Sequence, residues 1–362
     1  MFFLPHLGGG GAERMMLTVA NGLAARGHRI DVVFGAGGDE LDDLVSPAVE
    51  RIELVTGRVR SMTWPLTAAI RRRQPDCLVT TMSHANAIGL VAARLSRTRV
   101  PVVVRFANVP AGRPGGREAV RHVRWRLTRR LRLGAASMVT PSVALAQTVR
   151  ETFGPGHDPV VIPNPVIGDD FAVRAAAPVA HRWFEDGSRV VLAVGRLHAQ
   201  KGFDLLLEAF AQINRAAPDT RLLILGEGHE RARLEAERGR LGLDEVAELP
   251  GFVPDPVPYM ARSEVFVLSS RNEGLPSALI EALAAGTRVV AADCAHGPAE
   301  ILEGGRYGCL VRPGDVGALA CAVLAALDEP RSAPPDEAWL RYSERSAVDS
   351  YEVLLANVAG RR

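Results

Sequence analysis

The chain is nearly without lysine: of its 43 lysine and arginine residues, 42 are arginine, and Lys201 is the exception. A compact ammonium on a flexible stem and a broad planar guanidinium are not interchangeable at a tight site. Long apolar runs are missing too. None approaches the roughly 18 residues of a membrane-crossing helix, so no such helix is expected. The opening Met1-Phe2-Phe3-Leu4-Pro5-His6 carries no cationic leader and does not read as a secretory signal. The four cysteines, Cys77, Cys294, Cys309 and Cys321, lie far apart without a Cys-x-x-Cys pair. That spacing argues against a disulfide or zinc framework and for reduced thiols in a cytoplasmic protein.

Net charge is small, +2, but unevenly divided. Residues 1–170 hold 22 basic and 14 acidic side chains, and residues 171–362 hold 21 and 27. The basic first half is expected to meet something anionic. At 362 residues the chain exceeds one ordinary core, which implies two domains.

The first half alternates strand-like runs (Phe2–Leu4, Arg29–Phe34, Asp76–Thr81, Val100–Arg105, Ser137–Thr140, Val160–Ile162) with helical patterns at 12–26, 63–73, 86–95, 117–132 and 142–152. Apolar strands alternating with amphipathic helices imply a parallel sheet covered on both faces. The pattern breaks at Asn164-Pro165 and the alanine-rich stretch to Ala180, so a hinge is expected near 165–182. It then restarts, with strands at Arg189–Val194, Arg221–Leu225, Val246–Leu249, Glu264–Leu268 and Arg288–Ala292, and helices at 203–213, 229–240, 276–285 and 315–327. The expected fold is α/β: two doubly wound, Rossmann-like domains with a cleft between them, at 1–168 and 183–338. A last helix within 339–362 is expected to pack near the domain interface. Ligands of such sheets bind beyond the carboxyl ends of the strands.

Three turns at strand ends carry chemistry. Gly8-Gly9-Gly10-Gly11 leads into a helix, where backbone N–H groups can approach an anion. It is not a dinucleotide fingerprint, because Glu13 stands where the third glycine would be; the alternative is a plain tight turn. Gly195-Arg196…Lys201-Gly202 sets two cations five residues apart, suited to clamping a diphosphate; the alternative is a solvated loop. In Ser269-Ser270-Arg271-Asn272-Glu273-Gly274-Leu275-Pro276-Ser277, Pro276 opens a helix whose free N–H groups suit an anion or sugar. Glu273 precedes that helix and Glu281 lies on it, each able to take sugar or ribose hydroxyls.

Together these motifs resemble glycosyltransferase family 4, of the GT-B architecture, over essentially the whole chain. The resemblance rests on Gly9-Gly10-Gly11-Ala12-Glu13-Arg14, Gly195-Arg196-Leu197…Gln200-Lys201-Gly202-Phe203-Asp204, Leu225-Gly226-Glu227-Gly228 and Glu273-Gly274-Leu275-Pro276…Glu281-Ala282-Leu283-Ala284, with the family's seven-residue gap between its two glutamates. It implies transfer with retained anomeric configuration, a nucleotide sugar as substrate, and neither cofactor nor catalytic metal; the sequence has no Asp-x-Asp motif. It implies that Arg196 and Lys201 bind the donor diphosphate, Glu273 with Gly274, Leu275 and Pro276 the donor sugar, and Glu281 the ribose. Gly10 and Gly11 would approach the phosphate from the other domain. Leaving-group charge would fall to Arg196, Lys201 and helix-end N–H groups. His84, after a strand end, would orient sugar or acceptor, or merely cap a helix. His198, His229 and His296 read as variable loop positions.

Residues 113–132 hold eight arginines and one acid, Glu118. Arg117, Arg121 and Arg124 line one flank of the helix expected there, suited to an anionic membrane surface or a diphosphate-linked acceptor. The alternative is a solvated helix packed on its own sheet. Arg105 is a candidate acceptor contact, although Arg105-Phe106-Ala107-Asn108 departs from the Arg-Glu-His run of many relatives. Nucleic acid is not expected. Weaker similarities at Asp255–Met260 and Asp293–Leu302 point to members that build cell-surface glycans from UDP-hexoses or N-acetylhexosamines on polyprenyl-diphosphate acceptors. The expected location is cytoplasmic, on the inner face of the plasma membrane. A nucleotide-sugar epimerase and a non-catalytic sugar-nucleotide-binding module are the competing readings.

Overall fold

The computed structural model describes residues 1–8, 11–35, 39–54, 59–107, 134–154, 158–330 and 333–360. The chain forms two units, Met1–Pro165 with Ser343–Arg362, and Val166–Tyr342.

The first unit holds seven parallel strands: β1 (Phe2–Leu4), β2 (Asp31–Gly35), β3 (Glu50–Leu54), β4 (Leu78–Thr81), β5 (Val102–Arg105), β6 (Ser137–Thr140) and β7 (Val160–Val161), in the order β3-β2-β1-β4-β5-β6-β7. β1, β2, β4 and β5 are buried along their whole length, as both-face coverage by helices demands. The edge strand β3 reads Glu-Arg-Ile-Glu-Leu and is mostly exposed, which is why its sequence carries no apolar run. The helices Gly11–Ala25, Thr63–Arg73, Ser83–Ser96 and Val143–Phe153 occupy four of the expected positions. The expected helix at 117–132 lies outside the described residues.

The final helix, Glu344–Ala359, belongs to this unit. Val348, Tyr351, Leu354 and Val358 enter its core beside Leu23 and Val19. Gly22 makes the close approach: a Cβ there would lie 2.4 Å from Val348 Cγ2. Arg26 fixes the register by bonding Asp349 at 2.5 Å and Glu352 at 2.6 Å.

The second unit holds β8 (Arg189–Val194), β9 (Thr220–Leu225), β10 (Ala247–Gly251), β11 (Val265–Leu268), β12 (Arg288–Ala292) and β13 (Cys309–Val311), parallel and ordered β10-β9-β8-β11-β12-β13. One face packs Leu206, Leu207, Phe210 and Ile213 of helix Phe203–Ala216 against Val191, Ala193 and Val265. The other packs Leu279, Ile280 and Leu283 of helix Ser277–Ala284 against Phe266, Leu268 and Val289. Much of the stretch expected as a hinge is part of this unit. Ile167, Phe171 and Trp183 sit in its core, and Arg174 bonds Asp255 through both guanidinium arms. The alanines and Pro178 had masked these three anchors.

Each sheet has one place where neighbouring strands lead off in opposite directions, between β1 and β4 and between β8 and β11. The crevice beyond the carboxyl ends at such a reversal is where open α/β sheets bind ligands.

Candidate functional site

At the second unit's reversal, two loops that are distant in sequence are stitched together. After β8 the chain makes a short turn, Ala199–Lys201, started by His198 Nδ1 accepting from Gln200 N–H at 3.1 Å. Gly202 ends the turn at φ 65°, where a Cβ would lie 2.2 Å from the Ser269 carbonyl oxygen. The loop after β11 joins here: Arg271 N–H donates to Gln200 O (2.8 Å), Gln200 Nε2 to Asn272 O (2.8 Å), and Ser269 Oγ to Lys201 O (2.9 Å).

This stitching brings Lys201 Nζ to 2.7 Å from Glu273 Oε1, with the side chains 21% and 7% exposed. Ser270 Oγ donates to the same oxygen at 2.6 Å. The lysine stem lies over Gly195, where a Cβ would be 3.0 Å from Lys201 Cε. Beneath, a Cβ at Gly226 would lie 2.0 Å from Gly195 O, and one at Gly228 would lie 2.2 Å from Leu197 O. The loop is thus supported backbone to backbone. An ammonium has three donors, and Glu273 takes one. Glu273 Oε2 makes no hydrogen bond among the described residues and is left to accept from a hydroxyl.

The other residues expected in this unit lie on the same two loops and on the helix that follows Pro276. Arg196 is exposed and makes no ion pair among the described residues. Gly274, Leu275 and Pro276 lead into helix Ser277–Ala284, which has no side-chain cap. Its first N–H groups have no intrahelical acceptor and form the positive end of the helix dipole. Glu281 is half-buried on that helix. It adds, after Asp255 and Asp170, to the interactions that raise the Arg174 pKa. Cys294, buried after β12, has its thiol pushed up to about 11, by burial first and then by the Glu273 carboxylate. Two cations, a helix end and a buried carboxylate suit a ligand with phosphate at one point and hydroxyls beside it.

Arg271 braces the loops from outside, bonding Asp204 with both arms at 2.8 Å and Ala199 O at 2.7 Å. Burial opposes ionisation of Asp204, but the Arg271 fork, the Leu205 N–H and Arg233 together hold the carboxyl below its ordinary range. Its stabilising contribution is therefore complete above the unfolded value of about 4 and is lost as pH falls through the lower folded value. Asp204→Asn is expected to lower the melting temperature at neutral pH and to flatten its dependence on pH below about 4. Thermal melts across that range measure both.

In the first unit, β4 ends at Thr81 and Met82 takes φ 70°. The exposed His84 then lies in the uncapped first turn of helix Ser83–Ser96. Gly11 opens helix Gly11–Ala25, and a Cβ there would meet nothing within 4 Å. Arg105, the candidate acceptor contact, is 3% exposed. Its guanidinium donates to Thr81 Oγ1 at 3.2 Å and Asn164 Oδ1 at 2.5 Å, tying strand ends to the segment before Pro165. Gly10, Arg117, Arg121 and Arg124 lie outside the described residues. Sequence reasoning passed over Ser270, Cys294 and His296, which the loops after β11 and β12 bring to the same edge; the doubled serine after an apolar strand was the available signal.

Comparison with known proteins accounts for both halves. Residues 9–167 match Glycosyltransferase Family 4, and residues 188–329 match Glycosyl transferases group 1. The lipopolysaccharide core biosynthesis glycosyltransferase LpsE of Rhizobium meliloti is 32% identical over 174 residues, 46% of this chain and 50% of that one. The 2-deoxystreptamine glucosyltransferase of Streptomyces kanamyceticus is 28% identical over 302 residues, 78% of this chain and 76% of that one. The chain spans half or less of the length of the first curated relatives it matches, from 19% to 50%. The crystal structure of Anabaena HepE in complex with UDP shares the fold, with a TM-score of 0.81 at 20% identity over 98% of this chain and 99% of that one. With both halves matched and both sheets in place, the chain belongs to glycosyltransferase family 4 and has the GT-B fold.

Proposed function

We propose that the chain is a retaining glycosyltransferase that moves a hexose or N-acetylhexosamine from a UDP-linked sugar to a lipid-linked or cell-surface glycan. The observation that carries this reading is the Lys201–Glu273 pair at the β8/β11 reversal, beside exposed Arg196 and an uncapped helix. Lys201 and Arg196 take the diphosphate, and Glu273 with Gly274, Leu275 and Pro276 takes the sugar. Glu281 takes the ribose. The leaving phosphate's charge is met by the two cations and the helix N–H groups, which are already oriented before reaction, without a metal or other cofactor.

Within the first unit, Gly10, Gly11 and His84 are assigned to ligand contacts at its own strand ends. Arg105 is assigned to positioning the acceptor side. Arg117, Arg121 and Arg124 are assigned to an anionic membrane surface, and the proposed location is the inner face of the plasma membrane. Among the described residues no helix is long and apolar enough to cross a membrane. The choice of UDP and of a glycan acceptor is supported by the UDP bound to HepE and by the lipopolysaccharide role named for LpsE.

Thermal melts with a panel of UDP-, GDP- and ADP-sugars test the reading. A ligand at a hundred times its dissociation constant adds about 2.7 kcal/mol of stability. Stabilisation by UDP-sugars is expected, and a flat response to the whole panel overturns the assignment.

A further inference from the structure

The loop after β12 bears directly on the Glu273 loop. Its backbone leaves the sheet with Asp293 N–H on Val311 O and Cys294 N–H on Ala292 O, both at 2.8 Å. His296 and Gly297 then follow at φ 66° and φ 111°. The glycine is required where it stands, because a Cβ at 297 would lie 2.6 Å from Pro276 Cδ and 3.3 Å from Leu275 Cα. Two residues earlier, buried Cys294 feels the Glu273 carboxylate. His296 is therefore joined directly to a glycine that packs against the loop from Glu273 to Pro276.

Two features of His296 call for an explanation. It is a side-chain-bearing residue in left-handed backbone, a conformation that persists only where the surroundings impose it. Its Nδ1 is buried and has no hydrogen-bond partner among the described residues, whereas buried polar atoms are nearly always paired. Strain and an unpaired ring nitrogen coincide at one residue beside the Glu273 loop.

The order of the strand ends indicates the partner. Along the sheet edge come the β8 loop with Lys201 and Arg196, the β11 loop with Glu273, and the β12 loop with His296. A ligand whose phosphates lie on the β8 cations reaches the β12 loop with the end that contacts Glu273. A hydroxyl both donates and accepts, so it satisfies Nδ1 in either tautomer; a phosphate oxygen can only accept. We propose that His296 hydrogen-bonds a hydroxyl of the transferred sugar and helps to select it. This inference rests on the donor-site reading above.

Calorimetric titration of the full chain with UDP, UDP-glucose and UDP-N-acetylglucosamine tests it. His296→Gly removes the imidazole and accepts the positive φ without strain; His296→Asn keeps a polar group and also tolerates that backbone. For His296→Gly, UDP affinity is expected within about twofold of the parent. Affinity for the preferred UDP-sugar is expected to fall at least about tenfold, with partial recovery in His296→Asn. Equal weakening of UDP and UDP-sugar, or no weakening of either, overturns the role of His296 and leaves the donor site standing. If the parent chain binds neither UDP nor a UDP-sugar, the donor-site reading falls and this inference with it.

Discussion

Lys201→Ala is expected to weaken UDP binding by about 10- to 100-fold and to lower sugar transfer by about 10²- to 10³-fold. The loss has two parts. One is the charge-assisted contact to phosphate that the two remaining ammonium donors provide. The other is the electrostatic support of Glu273, which is 7% exposed and would keep Ser270 as its one hydrogen-bond donor. Leaving a buried carboxylate so poorly paired costs about 1–3 kcal/mol, well below the stability of a domain. The second unit therefore stays folded and melts a few degrees lower. Lys201→Arg is the sharper variant. It restores the charge, but its planar fork pairs side-on with Glu273 instead of dividing its donors between carboxylate and ligand. The stem that now lies over Gly195 would also carry a broader head group. The arginine variant is expected to recover the melting temperature and not the UDP affinity, as read by melts and calorimetry on the same samples. Parent-like affinity in Lys201→Arg would show that the single lysine has no special role.

Gly226→Ala is expected to produce the largest loss of stability among single changes near the site, about 3 kcal/mol or more. For a unit of this size that corresponds to a melting temperature lower by roughly 6–12 °C. The residue sits at φ 145°, and the added Cβ would meet Gly195 O at 2.0 Å, a backbone atom that cannot swing aside. Relief requires moving the turn after β8, which carries Arg196, so UDP affinity should fall together with stability. Gly242→Ala is the control. Its φ of 69° lies in the left-handed region that L residues do visit, and nothing lies within 4 Å of the new Cβ, so it reports a milder backbone cost with no collision. A melting temperature for Gly226→Ala equal to that of Gly242→Ala would refute the close packing of these loops.

The parts of the fold legible in the sequence are those where burial writes a pattern. β5, β8 and β11 are apolar because both their faces are covered, and their ends are marked by glycine, serine or a cation. β3 and β13 were not legible because edge strands need no two-sided apolar pattern, and β13 is only three residues long. The place of Ile167, Phe171 and Trp183 was hidden because three anchors spread over 17 residues have no helical or strand period. At the site, the strand–turn–helix frames of Lys201 and Glu273 were readable locally. Their meeting across 72 residues was not, because it depends on the order of β8 and β11 in the sheet. His296 was passed over for the same reason: its surroundings come from another loop.

The return of helix Glu344–Ala359 to the first unit sets the order in which the polypeptide can mature on the ribosome. Val348, Tyr351 and Leu354 fill a core otherwise built from residues before Pro165, so that core stays open until helix Glu344–Ala359 has emerged. Val166–Tyr342 is complete before then and has its own two-faced core. The half synthesised first is thus completed only after the second unit, with its apolar face awaiting a segment made about 180 residues later.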